Sequence, residues 1–173
     1  MRQQNRTLFL VLITAITLAC GEPPKPHGTA LDGAWKVVAV EVTGSGATAH
    51  NQPQPSLVIF SGDYYSWSRV TTTSPRALFA AETPSDAERI AAYESVLFNS
   101  GKYAVTDSIL TCWVVVARSP NIMAGGSESF RYRLKGDTLW VHQRSEDVRI
   151  RLGDQLVSPS AARDLRLVLE RLH

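Results

Sequence analysis

The chain has 173 residues, with 18 basic and 16 acidic side chains and a formal net charge of +2. Affinity for nucleic acid rests on clustered Lys and Arg, and this near-balance excludes nucleic acid as an expected partner. With 44% hydrophobic residues, the length suits a single domain with a sizeable core.

Arg2 and Arg6 precede an apolar run from Thr7 to Ala19, which is followed by Cys20 and Gly21. A positive start, a short apolar stretch and a small residue before the cut read as an export signal. The run is too short to span a bilayer, which takes about 20 apolar residues. Cys20 in this place resembles the lipid-acceptor cysteine of bacterial lipoproteins, while Thr17-Leu18-Ala19 also suits an ordinary signal peptidase. Residues 1–19 are therefore read as a signal peptide, 20–30 as a lipidated cysteine with a Pro-rich spacer, and 31–173 as one domain. Removing 19 residues from 173 leaves 154, and the loss of Arg2 and Arg6 leaves 16 basic residues against 16 acidic ones. Gly21, rather than Asp, after the cysteine implies passage to the periplasmic face of the outer membrane. The stretch Gly-Glu-Pro-Pro-Lys-Pro-His-Gly over 21–28 reads as a stiff, extended tether.

Trp35 to Val42 predicts a strand that ends in Thr43-Gly44-Ser45-Gly46. Leu57-Val58-Ile59-Phe60, a turn at Gly62-Asp63 and Tyr64 to Val70 predict a hairpin. Ser85-Asp86-Ala87-Glu88 is a capping box, and the apolar spacing after it predicts one short helix, about Asp86 to Leu97. Strand signals return at Tyr103-Ala104-Val105 and continue through Ile109 to Ala117. Phe130, Tyr132 and Leu134 alternate with Arg131, Arg133 and Lys135, and a Gly136-Asp137 turn leads into Thr138 to His142. Val148, Ile150 and Leu152 alternate with Arg149 and Arg151. Such alternation gives each strand one dry and one wet face. The tail, Ser160 to His173, fits either a strand or a helix by period. Several antiparallel strands with one helix point to a small barrel.

If Cys20 is lipidated, Cys112 has no intramolecular partner and there is no disulfide framework. Its valine-rich surroundings read as the site of a small buried apolar residue, because a reactive thiol needs an electropositive, exposed setting.

Read in order, these pieces resemble the bacterial lipocalin-like family of calycin barrels. Gly33-Ala34-Trp35 resembles the G-x-W opening of the first barrel strand, and Gly101-Lys102-Tyr103-Ala104-Val105 resembles the "GxYxV" strand after the helix. Leu57 to Ser66 resembles the family's apolar strand, tight turn and aromatic-serine strand, and Leu134 to Leu139 its late hairpin. Leu167 to Leu172 resembles the closing strand, so the tail is read as a strand. The resemblance covers Leu31 to the C-terminus and implies a mostly β protein: a single antiparallel up-and-down lipocalin-like barrel with one short helix. The stretch Leu110 to Val114 carries none of the histidines often found there in the family, and the loop Ser119 to Ser129 matches loosely.

The resemblance also implies that Trp35 packs at the closed end beneath Arg171 as a structural plug. An interior of this size holds one small ligand. Its candidate contacts are Tyr65, Trp67, Cys112, Phe130, Tyr132 and Ile150, and core packing is the competing role for each. Leu134 and Val148 share the expected dry walls.

No H-E-x-x-H, paired C-x-x-C or G-x-S-x-G is present, so no catalytic residue, metal ligand or cofactor is assigned. His27, His50, His142 and His173 are scattered, with His142 expected to face solvent. The acidic residues around the helix fit its dipole. The leading expectation is a monomeric, non-catalytic envelope lipoprotein binding a small apolar or amphipathic molecule. The alternative is a solidly packed barrel whose outer surface, including Arg131, Arg133, Arg149 and Arg151, contacts an envelope partner. An enzyme acting inside the barrel would need a buried, pKa-shifted acid or base.

Overall fold

The computed structural model describes residues 28–173; the signal segment, Cys20 and the spacer up to His27 lie outside them. Eleven strands and two helices follow one another: β1 (Gly33–Gly44), β2 (Thr48–His50), β3 (Ser56–Ser61), β4 (Tyr64–Val70), α1 (Asp86–Glu94), β5 (Val96–Val105), β6 (Ile109–Ala117), α2 (Pro120–Met123), β7 (Ser127–Lys135), β8 (Thr138–Arg144), β9 (Val148–Leu152), β10 (Gln155–Val157) and β11 (Arg163–Leu172). Eight of them close a ring in the order β1-β3-β4-β5-β6-β7-β8-β11, each antiparallel to its neighbours, with β11 returning to β1. The predicted mostly β, up-and-down barrel is therefore the fold, and it is consistent with a lipocalin-like barrel. The tail is a strand.

Closure comes from β11, which pairs with β8 on one side and with β1 along its length on the other, from Ala34–Leu172 to Gly44–Arg163. The β1 ladder slips between Val37 and Ala39, so the dry face runs Trp35 and Val37 before the slip, and Val40 and Val42 after it. This bulge re-aims the strand. The Val37 amide, beyond the end of the β1–β3 pairing, donates to Ser56 Oγ at 2.8 Å. Beyond Trp35, β1 leaves β3 and its edge is covered by the short strand β2.

At the closed end, Leu31, Trp35, Phe60 and Tyr103 are buried together. Trp35 Nε1 donates to the Leu31 carbonyl at 2.8 Å. The Arg171 guanidinium lies 4.2 Å over the indole ring and donates to the carbonyls of Ala30 (2.9 Å) and Asp32. Its Nε faces Asp137 Oδ1 at 3.3 Å. The expected Trp35–Arg171 pair is thus in contact. Gly33 explains itself here: a Cβ would sit 2.7 Å from Arg171 Nη1, and φ is +127°, a region closed to most side chains. Gly101 is constrained by the neighbouring strand β6, since a Cβ would meet the Trp113 carbonyl oxygen at 2.0 Å. Tyr103 Oη donates to Asp32 Oδ1 at 3.0 Å, and burial raises the phenol to about 12.

Helix α1 has the predicted capping box: Ser85 accepts from the Glu88 amide, and the Glu88 carboxylate accepts from the Ser85 amide at 2.8 Å. The helix stops at Glu94 rather than Leu97. Ser95 caps it, and from Val96 the backbone continues as β5, pairing with Val70 of β4, which turns Leu97 into a wall residue of the barrel. None of its residues is buried, so α1 lies on the outside of the ring. A second correction concerns β9. It hydrogen-bonds to β7 only through Ser127–Arg149 and Glu128–Val148 and otherwise pairs with β10, so it forms a side hairpin and not a stave. Arg149 and Arg151 pin this hairpin, to Ser158 Oγ at 3.0 Å and to the Ala124 carbonyl at 2.8 Å.

Lys can reach neither both carbonyls nor the indole face as a planar guanidinium does. Arg171→Lys should therefore lower unfolding free energy by about 1–2 kcal/mol in urea titrations, and Trp35→Ala by about 3–5 kcal/mol.

Candidate functional site

The strand ends opposite the plug enclose a cavity of about 380 Å³. Its floor is apolar. Trp67 and Phe130 stack with ring centroids 5.5 Å apart and planes 12° from parallel, and Leu97, Leu165 and Leu167 complete the walls. Such a volume falls within the range of about 300–1,000 Å³ usual for small-molecule sites.

Its upper wall is polar, and the alternation of the strands puts it there. Arg69 is in phase with Trp67 on β4, Glu128 with Phe130 on β7, Gln143 with Val141 on β8 and Arg163 with Leu165 on β11. Arg144 and Ser145 complete the rim. Glu128 Oε2 accepts from Asn99 Nδ2 at 2.9 Å. Burial raises the Glu128 carboxyl above its ordinary value, against the opposing pull of Asn99 and Arg69. Burial, together with the neighbouring Arg163 guanidinium, lowers Arg69 to about 10, which leaves it charged at neutral pH. Asn99 Oδ1 and Gln143 Nε2 are buried without a hydrogen-bond partner. Buried polar atoms of this kind are rare in native proteins and call for an explanation.

The six candidate contacts read from sequence separate into four groups. Trp67 and Phe130 line the cavity. Tyr65 and Cys112 are buried beneath it in the core; burial holds both the phenol and the thiol above their usual values, and Tyr65 Oη has no partner. Cys112 is a free thiol of the core. Tyr132 packs toward the closed end with its hydroxyl on the Thr106 carbonyl at 3.1 Å. Ile150 lies on β9, in the side hairpin outside the ring, and is not among the residues lining this cavity, although Val148 of the same strand is.

The polar residues Arg69, Asn99, Glu128 and Gln143 were not among the sequence candidates. His142 faces outward, as expected, and is 2.8 Å from Asp164 Oδ2, whose carboxyl it holds below the usual range. On that outer wall a shallower groove of about 560 Å³ contains Trp140, with Arg133 4.1 Å over its ring, and Arg131, His142, Arg166 and Glu41. Among the described residues no group of His, Cys, Asp or Glu is arranged to hold a metal ion.

No family model and no curated protein matches the chain. Among solved structures it is similar to an uncharacterized protein from Bacteroides eggerthii DSM 20697, at 7% identity and a TM-score of 0.40, over 82% of this chain and 99% of that one. It is also similar to Rv2717c from M. tuberculosis, at 14% identity and a TM-score of 0.36, over 83% of this chain and 93% of that one.

A carboxyl raised by burial binds its proton more tightly in the folded chain than in the unfolded one. Its contribution to stability is therefore full below the ordinary carboxylate value and is lost as pH rises through the raised folded value. Glu128→Gln removes that loss while keeping an amide for Asn99. The variant should have the higher thermal midpoint at pH 7, and the gap should close on acidification below about pH 4.

Proposed function

We propose that the protein is a non-catalytic, lipocalin-like binding protein that holds one small amphipathic molecule in the open end of its barrel. The observation that carries this reading is the cavity itself: an aromatic floor beneath a polar rim, with buried amides left without partners. A barrel built only for stability would fill this space, because each void forfeits packing energy and each unpaired buried polar atom costs about 1–3 kcal/mol. An apolar body on the Trp67–Phe130 stack and a polar head among Arg69, Glu128 and Gln143 would answer both costs.

In this reading the chain is exported, Cys20 carries the lipid, and the Pro-rich spacer holds the barrel close to the envelope. Acylation and position in the outer membrane follow from the leader sequence alone. The second reading, an outer surface that contacts an envelope partner, is favoured by one observation, the groove around Trp140 and its arginines. Trp140 is half-buried beneath Arg133, and Trp and Arg are enriched among the residues that dominate protein interfaces.

Mass spectrometry of the protein purified from its own envelope tests these readings together. Under native conditions the binding reading expects a complex heavier than the polypeptide by one small molecule, released on unfolding. Under denaturing conditions lipidation expects a chain that begins at an acylated Cys20. A barrel that emerges empty, with its cavity filled by side chains in solution, would sink the first reading and leave the outer groove as the better one.

A further inference from the structure

We propose that the cavity is an anion site: it takes a small amphipathic organic anion whose acid group lies between Arg69 and Arg163 and whose apolar part covers the Trp67–Phe130 stack. This rests on the binding reading above and adds the charge of the ligand to it.

The charges around the cavity do not cancel. Arg69, Arg144 and Arg163 line it against a single carboxylate, Glu128. Arg144 is already committed to Glu146 at 3.0 Å. Arg69 and Arg163 have no side-chain hydrogen bond or ion pair among the described residues, although they are close enough for each to oppose the other's charge. Arg69 has the buried Glu128 as its one neighbouring carboxylate, and the exposed Arg163 has no ion pair among the described residues; an acid group placed between the two guanidiniums relieves their repulsion and gains charge-assisted hydrogen bonds.

Arg163 contrasts with Arg171, eight positions along the same strand, whose guanidinium is engaged with backbone carbonyls, an indole and Asp137. Lack of partners is therefore a property of the open end and not of the strand.

The neutral groups fit the same occupant. Gln143 is 9% exposed and Asn99 4%, so each of these side chains is at least nine-tenths buried. Gln143 Nε2, a donor without an acceptor, adds a third hydrogen bond for the acid group. Glu128, whose remaining oxygen has no side-chain donor among the described residues, can accept from a hydroxyl or amine elsewhere on the ligand. While ionised, Glu128 also repels the acid group, and it therefore limits how tightly an anion is held.

Two fluorescent probes share a skeleton and differ by one acid group: 1-anilinonaphthalene-8-sulfonate and neutral N-phenyl-1-naphthylamine. The wild-type protein should bind the sulfonate about tenfold or more tighter, with one site per chain. The double variant Arg69→Gln/Arg163→Gln should lose that advantage and still bind the neutral probe. Glu128→Gln should bind the sulfonate more tightly than wild type and leave the neutral probe unchanged. Loosened packing would raise the binding of both probes, so a gain confined to the sulfonate, at one site per chain, decides the matter if the double variant fails to fold and loses both probes. Equal binding of the two probes by wild type, or no gain for the sulfonate in Glu128→Gln, overturns the anion site and leaves the binding reading standing. If neither probe binds wild type, the binding reading fails with it.

Discussion

The ladder between β1 and β11 is the constraint on which everything else in the molecule depends. Without it the sheet would be an open meander with two exposed edges, and the residues now called interior would face water. With it, the first and last strands of the domain become neighbours, so that Trp35 and Arg171 meet although they lie at opposite ends of the sequence. Their contact in turn fixes the turns around them, through the carbonyls of Ala30 and Asp32 and through Asp32's bond to Tyr103. Pairings of this sequence separation are costly to form and gain only when the ring is complete.

Closure also makes the two ends of the barrel chemically unlike. At one end every polar group near the core is engaged: indole to carbonyl, guanidinium to carbonyls and carboxylate, phenol to carboxylate. At the other end the same inward alternation brings charged and amide side chains to the rim, and several of them meet no partner. In the proposed binding reading, the ligand would sit at the second end. The outer groove beside Trp140 is different in kind, because Arg166 is paired there with Glu41 and Asp164 and Arg133 is stacked on the indole.

Much of this was legible in the sequence because it is local. Gly33 before Trp35, Gly62-Asp63 and Gly136-Asp137 between alternating runs, and the Ser85–Glu88 capping box each report a short-range requirement of the backbone. The tail needed resemblance, since Leu165, Leu167 and Leu169 fit two periods equally. The end of α1 was misplaced because Leu97 keeps helical spacing while its backbone is claimed by pairing with Arg69 on β4, a tertiary effect. Val148 and Ile150 alternate like a stave, but alternation cannot tell a ring strand from a side hairpin. The polar cavity residues were missed for a related reason. Each continues a dry face by two residues: Arg69 after Trp67, Glu128 before Phe130, Gln143 after Val141, Arg163 before Leu165. That shared phase was the available signal, and only the assembled ring shows that all four extensions fall at one end.

The account stands on the difference between the arginines of the two ends. Side-chain Nε–Hε resonances of ¹⁵N-labelled arginine, followed while an amphipathic sulfonate is added, read it directly. The signals of Arg69 and Arg163 should move to a saturable end point while that of Arg171, held by its carbonyls, stays in place. Unmoved signals for Arg69 and Arg163, with shifts confined to outer-wall arginines such as Arg131 and Arg133, would contradict the account.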